Sequence, residues 1–296
     1  MNTSADEKLD LSKVNPQGGS SDLSNLEQEL FKILEDIVQP GDKITPQTAA
    51  ESINQHLRNF PRRSEEKEKD VKAVEDFLHT FWTLFIAVVE STPYNHPGQD
   101  RLFSTLTSLI EKSEGSYEIW GQSPSQVWVD LPLLGPVIRE SWGWTVPSKT
   151  TNLGCNQSYQ ELDGAMKWIN LNSFVARLVG SEMVHWETFP IWSLRDALEE
   201  PFRTKAENDI HGLIAGEWIF NAGKLIYAMS CEESSVENPR ITKGGSLFDG
   251  ESGFNGERWE FWKKRAGEMM EVVSVDVKGV VGLIVEKMVE IEGEKK

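Results

Sequence analysis

Two cysteines, Cys155 and Cys231, are all that 296 residues provide. That is too few for a disulfide framework, and a reducing compartment is the simpler expectation. Long apolar runs are missing as well. The longest, Phe81 to Val89 with Thr83 inside it, falls far short of the roughly 20 residues a membrane helix needs. Positive charge is scarce: 30 Lys and Arg stand against 47 Asp and Glu, a formal net charge of −17 with a pI near 4.8. Phosphate backbones attract basic surfaces through counterion release, so no nucleic-acid partner is expected for a body this acidic. The short basic groups Arg62–Arg63 and Lys263–Arg265 sit among acids and read as solvated helix faces. The first residues lack the apolar core of a secretory signal. The expected location is the cytosol, with the nucleus open, and no membrane partner.

The common catalytic signatures are absent too. There is no HExxH, no GxxxxGK[ST], no GxGxxG after a strand and no GxSxG. None of the histidines His56, His79, His96, His185 and His211 has a second one three or four residues away. A zinc site would have to gather His185, His211 and a carboxylate by folding alone, so no metal or cofactor is expected. The glycine-rich stretch 244–256 (GGSLFDGESGFNG) has no lysine and carries Asp249 and Glu251, which suits a structural loop better than a phosphate cradle.

What the chain has is tryptophan. Ten of its eleven lie between Trp120 and Trp262. Each buries more surface than other side chains and needs a partner for its indole N–H, so this region marks the main core.

Apolar residues recur at helical spacing almost throughout. Leu23 to Ile37 forms one run, stopped by Pro40-Gly41, and Thr45-Pro46 opens a second that Pro61 ends. A long helix is expected from Ser64, polar at its start and apolar at its end, then another at about 98–113. A helix at 125–142 should be broken or kinked by Pro132 and Pro136. Further helices read at about 159–180, 189–200, 208–231, 256–273 and 275–292, with loops at 143–158 and 233–256. VVSVDV at the start of the last alternates like a strand, but Val277, Val281, Ile284 and Met288 form a helical stripe, and helix is preferred. The expected fold is all-α: a single domain of about nine to ten helices over 21–296 behind a disordered tail at 1–20. Within it, N-terminal helices occupy 21–113 and the Trp-rich core 120–292.

Several polar residues sit inside apolar helices. Glu217, Asn221 and Lys224 make one narrow stripe, and Asp163, Lys167, Asn170 and Arg177 another. Gly212 and Gly216 share a face that would let a helix approach closely. Two readings stand side by side. In one, Trp168, Trp192 and Trp218 line a cavity, with Arg139, Arg177, Arg195 and Glu217 as polar anchors for a carboxylate or phosphate. In the other, these charges form an internal arginine–carboxylate network that only fixes helix register.

The blocks DLPLLGPVIRESW (130–142), WINLNSFVARL (168–178), IWSLRDALEE (191–200), GEWIFNAGKLIY (216–227), GFNGERWEFWKKR (253–265) and EKMVEIE (286–292) resemble a family from filamentous fungi called domain of unknown function 3632. The likeness runs from about Leu26 to Glu292. It implies an intracellular, helical fungal protein and brings no activity, cofactor or catalytic residue. The expected function is a non-enzymatic module that binds a protein partner or a small molecule. The alternative is an accessory enzyme or small-molecule factor of fungal metabolism built on the Trp/Arg cluster.

Overall fold

The computed structural model describes residues 7–12, 14, 25–41, 43–59, 67–112, 115–143, 158–232 and 239–294. Cys155, nearly all of the expected loop 143–158 and residues 233–238 lie outside them. Among the described residues there are ten α-helices and one two-stranded sheet. Contacts divide the chain into two compact units, residues 2–143 and 144–296.

The first unit holds α1 (Asn25–Val38), α2 (Pro46–Asn59), α3 (Lys67–Ser91), α4 (Pro97–Ile110) and α5 (Leu134–Ser141). Local chemistry sets their ends. Thr45 Oγ1 accepts from the Thr48 N–H at 3.2 Å ahead of Pro46. His96 Nδ1 accepts from the Gly98 N–H at 3.0 Å ahead of Pro97. The last carbonyls of a helix have no partner within it. Arg101 of α4 meets those of α1, donating to the Ile37, Val38 and Gln39 oxygens at 2.6, 2.9 and 3.3 Å. Within the stretch read as a tail, Leu9, Leu11 and Val14 are buried.

The helix expected over 125–142 is a correction. Only Leu134–Ser141 is helical, and the residues before it form strand β2 (Ser125–Gln126), antiparallel to β1 (Ser116–Tyr117). Beside ten helices this small sheet leaves the fold all-α, as expected. Pro132 disfavours helical backbone at Leu131, which instead has φ +47°, while Pro136 sits in the first turn of α5, where its missing N–H costs nothing. Trp128 (φ +70°) and Leu133 (φ +69°) are left-handed as well. Packing holds them there. The Trp128 ring, fully buried, meets Phe81 and Trp82 of α3 edge-on at 5.6 and 5.9 Å and donates to Asn54 Oδ1 at 2.8 Å. Trp82 donates in turn to the Pro132 carbonyl at 2.8 Å. Residues 115–143, expected partly in the Trp-rich core, therefore pack with the N-terminal helices.

The second unit is built round α8 (Lys205–Cys231), which packs against α6 (Ala165–Gly180), α7 (Thr188–Leu198), α9 (Gly256–Met269) and α10 (Val275–Glu294). Thr204 and Glu207 form a capping box at its start. Apolar residues wrap most of its circumference, which suits a central helix. The expected close approach occurs at Gly212 and Gly216, where a Cβ would stand 2.9 Å from Val281 and 3.0 Å from Val280 of α10. The C-terminal element is a helix, with Val277, Val281, Ile284 and Met288 buried along one side. No helix among the described residues is long and apolar enough to cross a membrane.

Candidate functional site

Where α6, α7 and α8 meet, polar side chains enter the core because each finds its partner there. Asn172 of α6, fully buried, is the hub. Its Oδ1 accepts from the indole of Trp218 at 3.0 Å and from the Ser193 hydroxyl at 2.6 Å, while its amide donates to the Trp168 carbonyl at 2.9 Å. One residue along each helix, Ser173 donates to Glu217 Oε2 at 2.6 Å, and Asn221 donates to the same oxygen at 3.1 Å. Two of the expected side chains, Trp218 and Glu217, thus come together round Asn172, Ser173 and Ser193, which the sequence reading did not single out, while Trp168 takes part through its backbone carbonyl.

The other expected residues go elsewhere. Arg139 is exposed on α5, in the first unit. Arg177 is half-buried on α6. Trp192, half-buried on α7, donates to the Ile241 carbonyl at 2.9 Å. Arg195 reaches its neighbour Asp196 at 3.4 Å and not Glu199. That contact is long and partly exposed, so Arg195→Leu is expected to change stability by less than about 1 kcal/mol in urea unfolding. A loss above about 2 kcal/mol would mark Arg195 as part of the internal network.

The arginine–carboxylate network exists, on other residues. Arg258 of α9 and Glu199 at the end of α7 are both fully buried and joined as a fork, Nε to Oε1 at 2.6 Å and Nη2 to Oε2 at 3.0 Å. Arg258 Nη1 also donates to the carbonyls of Thr242 and Gly253 at 2.8 and 2.9 Å. Glu199 accepts further from the Trp262 indole at 2.6 Å and the Gly245 N–H at 2.7 Å. The pair ties the described part of the glycine-rich loop to α7 and α9. It is an internal clamp.

His211 of α8 has a strongly altered affinity for protons. Burial, helped by the Arg203 guanidinium whose Nη1 lies 2.6 Å from Nε2, pushes its pKa down to about 4. An unfolded histidine protonates near 6.5, so unfolding takes up a proton between these values. Stability should therefore fall as pH drops from about 6.5 to about 4, by at most about 3 kcal/mol. His211→Asn should flatten that part of the pH–stability curve, and an unchanged slope would contradict the assignment.

Among the described residues, no three His, Cys, Asp or Glu side chains gather to hold a metal ion. Chemically, the oxygens of Asn172 and Glu217 Oε2 each accept two donors already. Such shared acceptors hold α6, α7 and α8 in register.

No curated protein and no solved structure matches this chain. One family does, over residues 82–266, from Trp82 in α3 to Ala266 in α9, a narrower span than the likeness from Leu26 to Glu292. The chain belongs to that family, described as "Protein of unknown function (DUF3632)".

Proposed function

We propose that the chain is a non-enzymatic interaction module that meets a protein partner through its acidic outer surface. The observation that carries this reading is that the polar groups inside the Trp-rich unit are spent on one another: Asn172 on Trp218 and Ser193, Glu217 on Ser173 and Asn221, Glu199 on Arg258. The outer face of α10 adds support, since Val275, Leu283 and Val289 are 84%, 53% and 54% exposed. With a net charge of −17, the favoured partner presents basic groups round an apolar patch. The scarcity of cysteine supports an intracellular, reducing setting for the module.

The test is the size of the chain in extract of its own cells, at low and at high salt. The proposal expects elution well above 33.5 kDa at low salt and a shift downward as salt screens the contact. Elution at 33.5 kDa in both conditions would overturn it.

A further inference from the structure

A segment of the chain's own N-terminal region lies along α1 in the manner of a bound peptide. Gln39, 3% exposed, grips Leu9 on both sides of its backbone: Oε1 accepts the Leu9 N–H at 3.0 Å, and Nε2 donates to the Leu9 carbonyl at 2.8 Å. A side-chain amide that bonds both backbone groups of one residue does what a neighbouring strand does in peptide recognition. Leu9 and Leu11 are the apolar anchors, 8% and 4% exposed. Asp10 between them folds back, its Oδ1 accepting from both the N–H and the hydroxyl of Ser12 at 3.0 and 2.6 Å. The Val14 N–H then bonds to the Leu11 carbonyl at 3.0 Å and closes the turn. The motif is thus leucine–Asx–leucine–hydroxyl, with each part given a task.

The receiving face is equally ordered. Phe31 and Glu35 stand at i and i+4 on α1, and Gln39 follows directly after its last residue, Val38. Phe31 and Glu35, with residues 8–12, line an open groove of about 360 Å³, so the segment leaves room beside it. At its start, Glu7 acts on the buried His96. Burial pushes that imidazole below its ordinary value, Arg101 adds to the effect, and Glu7 opposes it. Ten residues, 15–24 (NPQGGSSDLS), connect the segment to α1 with the composition of a linker.

We propose that this face of α1 is a receptor for short apolar–Asx–apolar segments, and that residues 7–14 occupy it in cis until a partner's segment of the same chemistry displaces them. A tether of this length supplies an effective concentration in the millimolar range. A free peptide must therefore compete at a steep disadvantage, and the cis segment acts as a threshold. The proposal names a surface and a partner chemistry for the interaction module and rests on that reading only in supposing a protein partner. Its test is separable, because peptide binding can fail while the chain still elutes as a complex.

The experiment compares the full chain with the full-chain double variant Leu9→Asp/Leu11→Asp. The probe is a fluorescein-labelled synthetic peptide of residues 7–14, EKLDLSKV, read by anisotropy. The control peptide has both leucines replaced by aspartate. The expected result is saturable binding to the double variant, at least about tenfold tighter than to the unaltered chain, and lost when Gln39→Ala is added. A folded double variant that binds both peptides equally would overturn the proposal. Should the aspartates prevent folding, hydrogen exchange of the Gln39→Ala chain decides. Exchange at the Leu9 amide at least tenfold faster, with α1 and α4 still protected, supports a detachable segment. Unchanged exchange at Leu9, or a parallel loss of protection throughout α1 and α4, would overturn it.

Discussion

Replacing Arg258 with leucine is expected to destabilise the second unit by about 3–5 kcal/mol, a large part of the stability of any domain. The reason is the partner left behind. Glu199 is fully buried, and without the guanidinium its charge faces only the Trp262 indole and the Gly245 N–H. The carbonyls of Thr242 and Gly253 lose their Arg258 donor in the same step. The rings of Phe248 and Trp262, each 5.4 Å from the guanidinium carbon, lose a stacked cation as well. Arg258→Lys should recover little, because an ammonium cannot reproduce the fork or reach the two loop carbonyls at once. Urea unfolding followed by tryptophan fluorescence measures this directly. A loss below about 1 kcal/mol would mean that the pair does not hold the loop.

Trp128→Ala is expected to cost a comparable amount in the first unit, about 3–5 kcal/mol. The indole is fully buried against Phe81 and Trp82, so truncation leaves a void between α3 and the 127–133 segment. It also removes the donor to Asn54, whose Oδ1 lies in the core. Three left-handed residues, Trp128, Leu131 and Leu133, are held in place by this packing, each at a cost of order 1–3 kcal/mol. Once the anchor is gone, that strain favours rearrangement of the segment. Trp128→Phe keeps most of the ring contacts and should lose only about half as much. If Trp128→Ala unfolded at the same urea concentration as the unaltered chain, the anchoring role would be wrong.

The helices were legible because their signals are local. Pro46 after Thr45, Pro40-Gly41 after Ile37, and the stripe Val277–Val281–Ile284–Met288 act over one or two turns, and each lies where the pattern put it. The failure at 125–133 is long-range: Leu131 and Leu133 have helical spacing to Ile138 and Val137, but Trp82 and Phe81, some 50 residues away, hold the backbone out of helix.

The buried polar network followed the same division. Glu217 and Trp218 stood out as a polar residue beside an indole in an apolar helix, and they do face the core hub. Asn172 did not stand out, because an asparagine in LNSF looks like any helix-surface residue until Trp218 and Ser193 converge on it from two other helices. Glu199 lies four residues after Arg195 in the sequence, whereas its partner Arg258 lies 59 residues on. A usable signal was present: Arg258 is an arginine at the centre of a highly aromatic window, between Phe254 and Trp262. Charge in such a window needs a buried counter-charge.

The central claim is that the interior of the Trp-rich unit serves the fold and that function lies on the outside. The native mass spectrum of the protein, purified gently from its own cells, tests this most directly. The account predicts the mass of the bare chain, or of the chain with a protein partner. A retained excess of a few hundred daltons, lost on denaturation, would mean an enclosed small molecule and would contradict it.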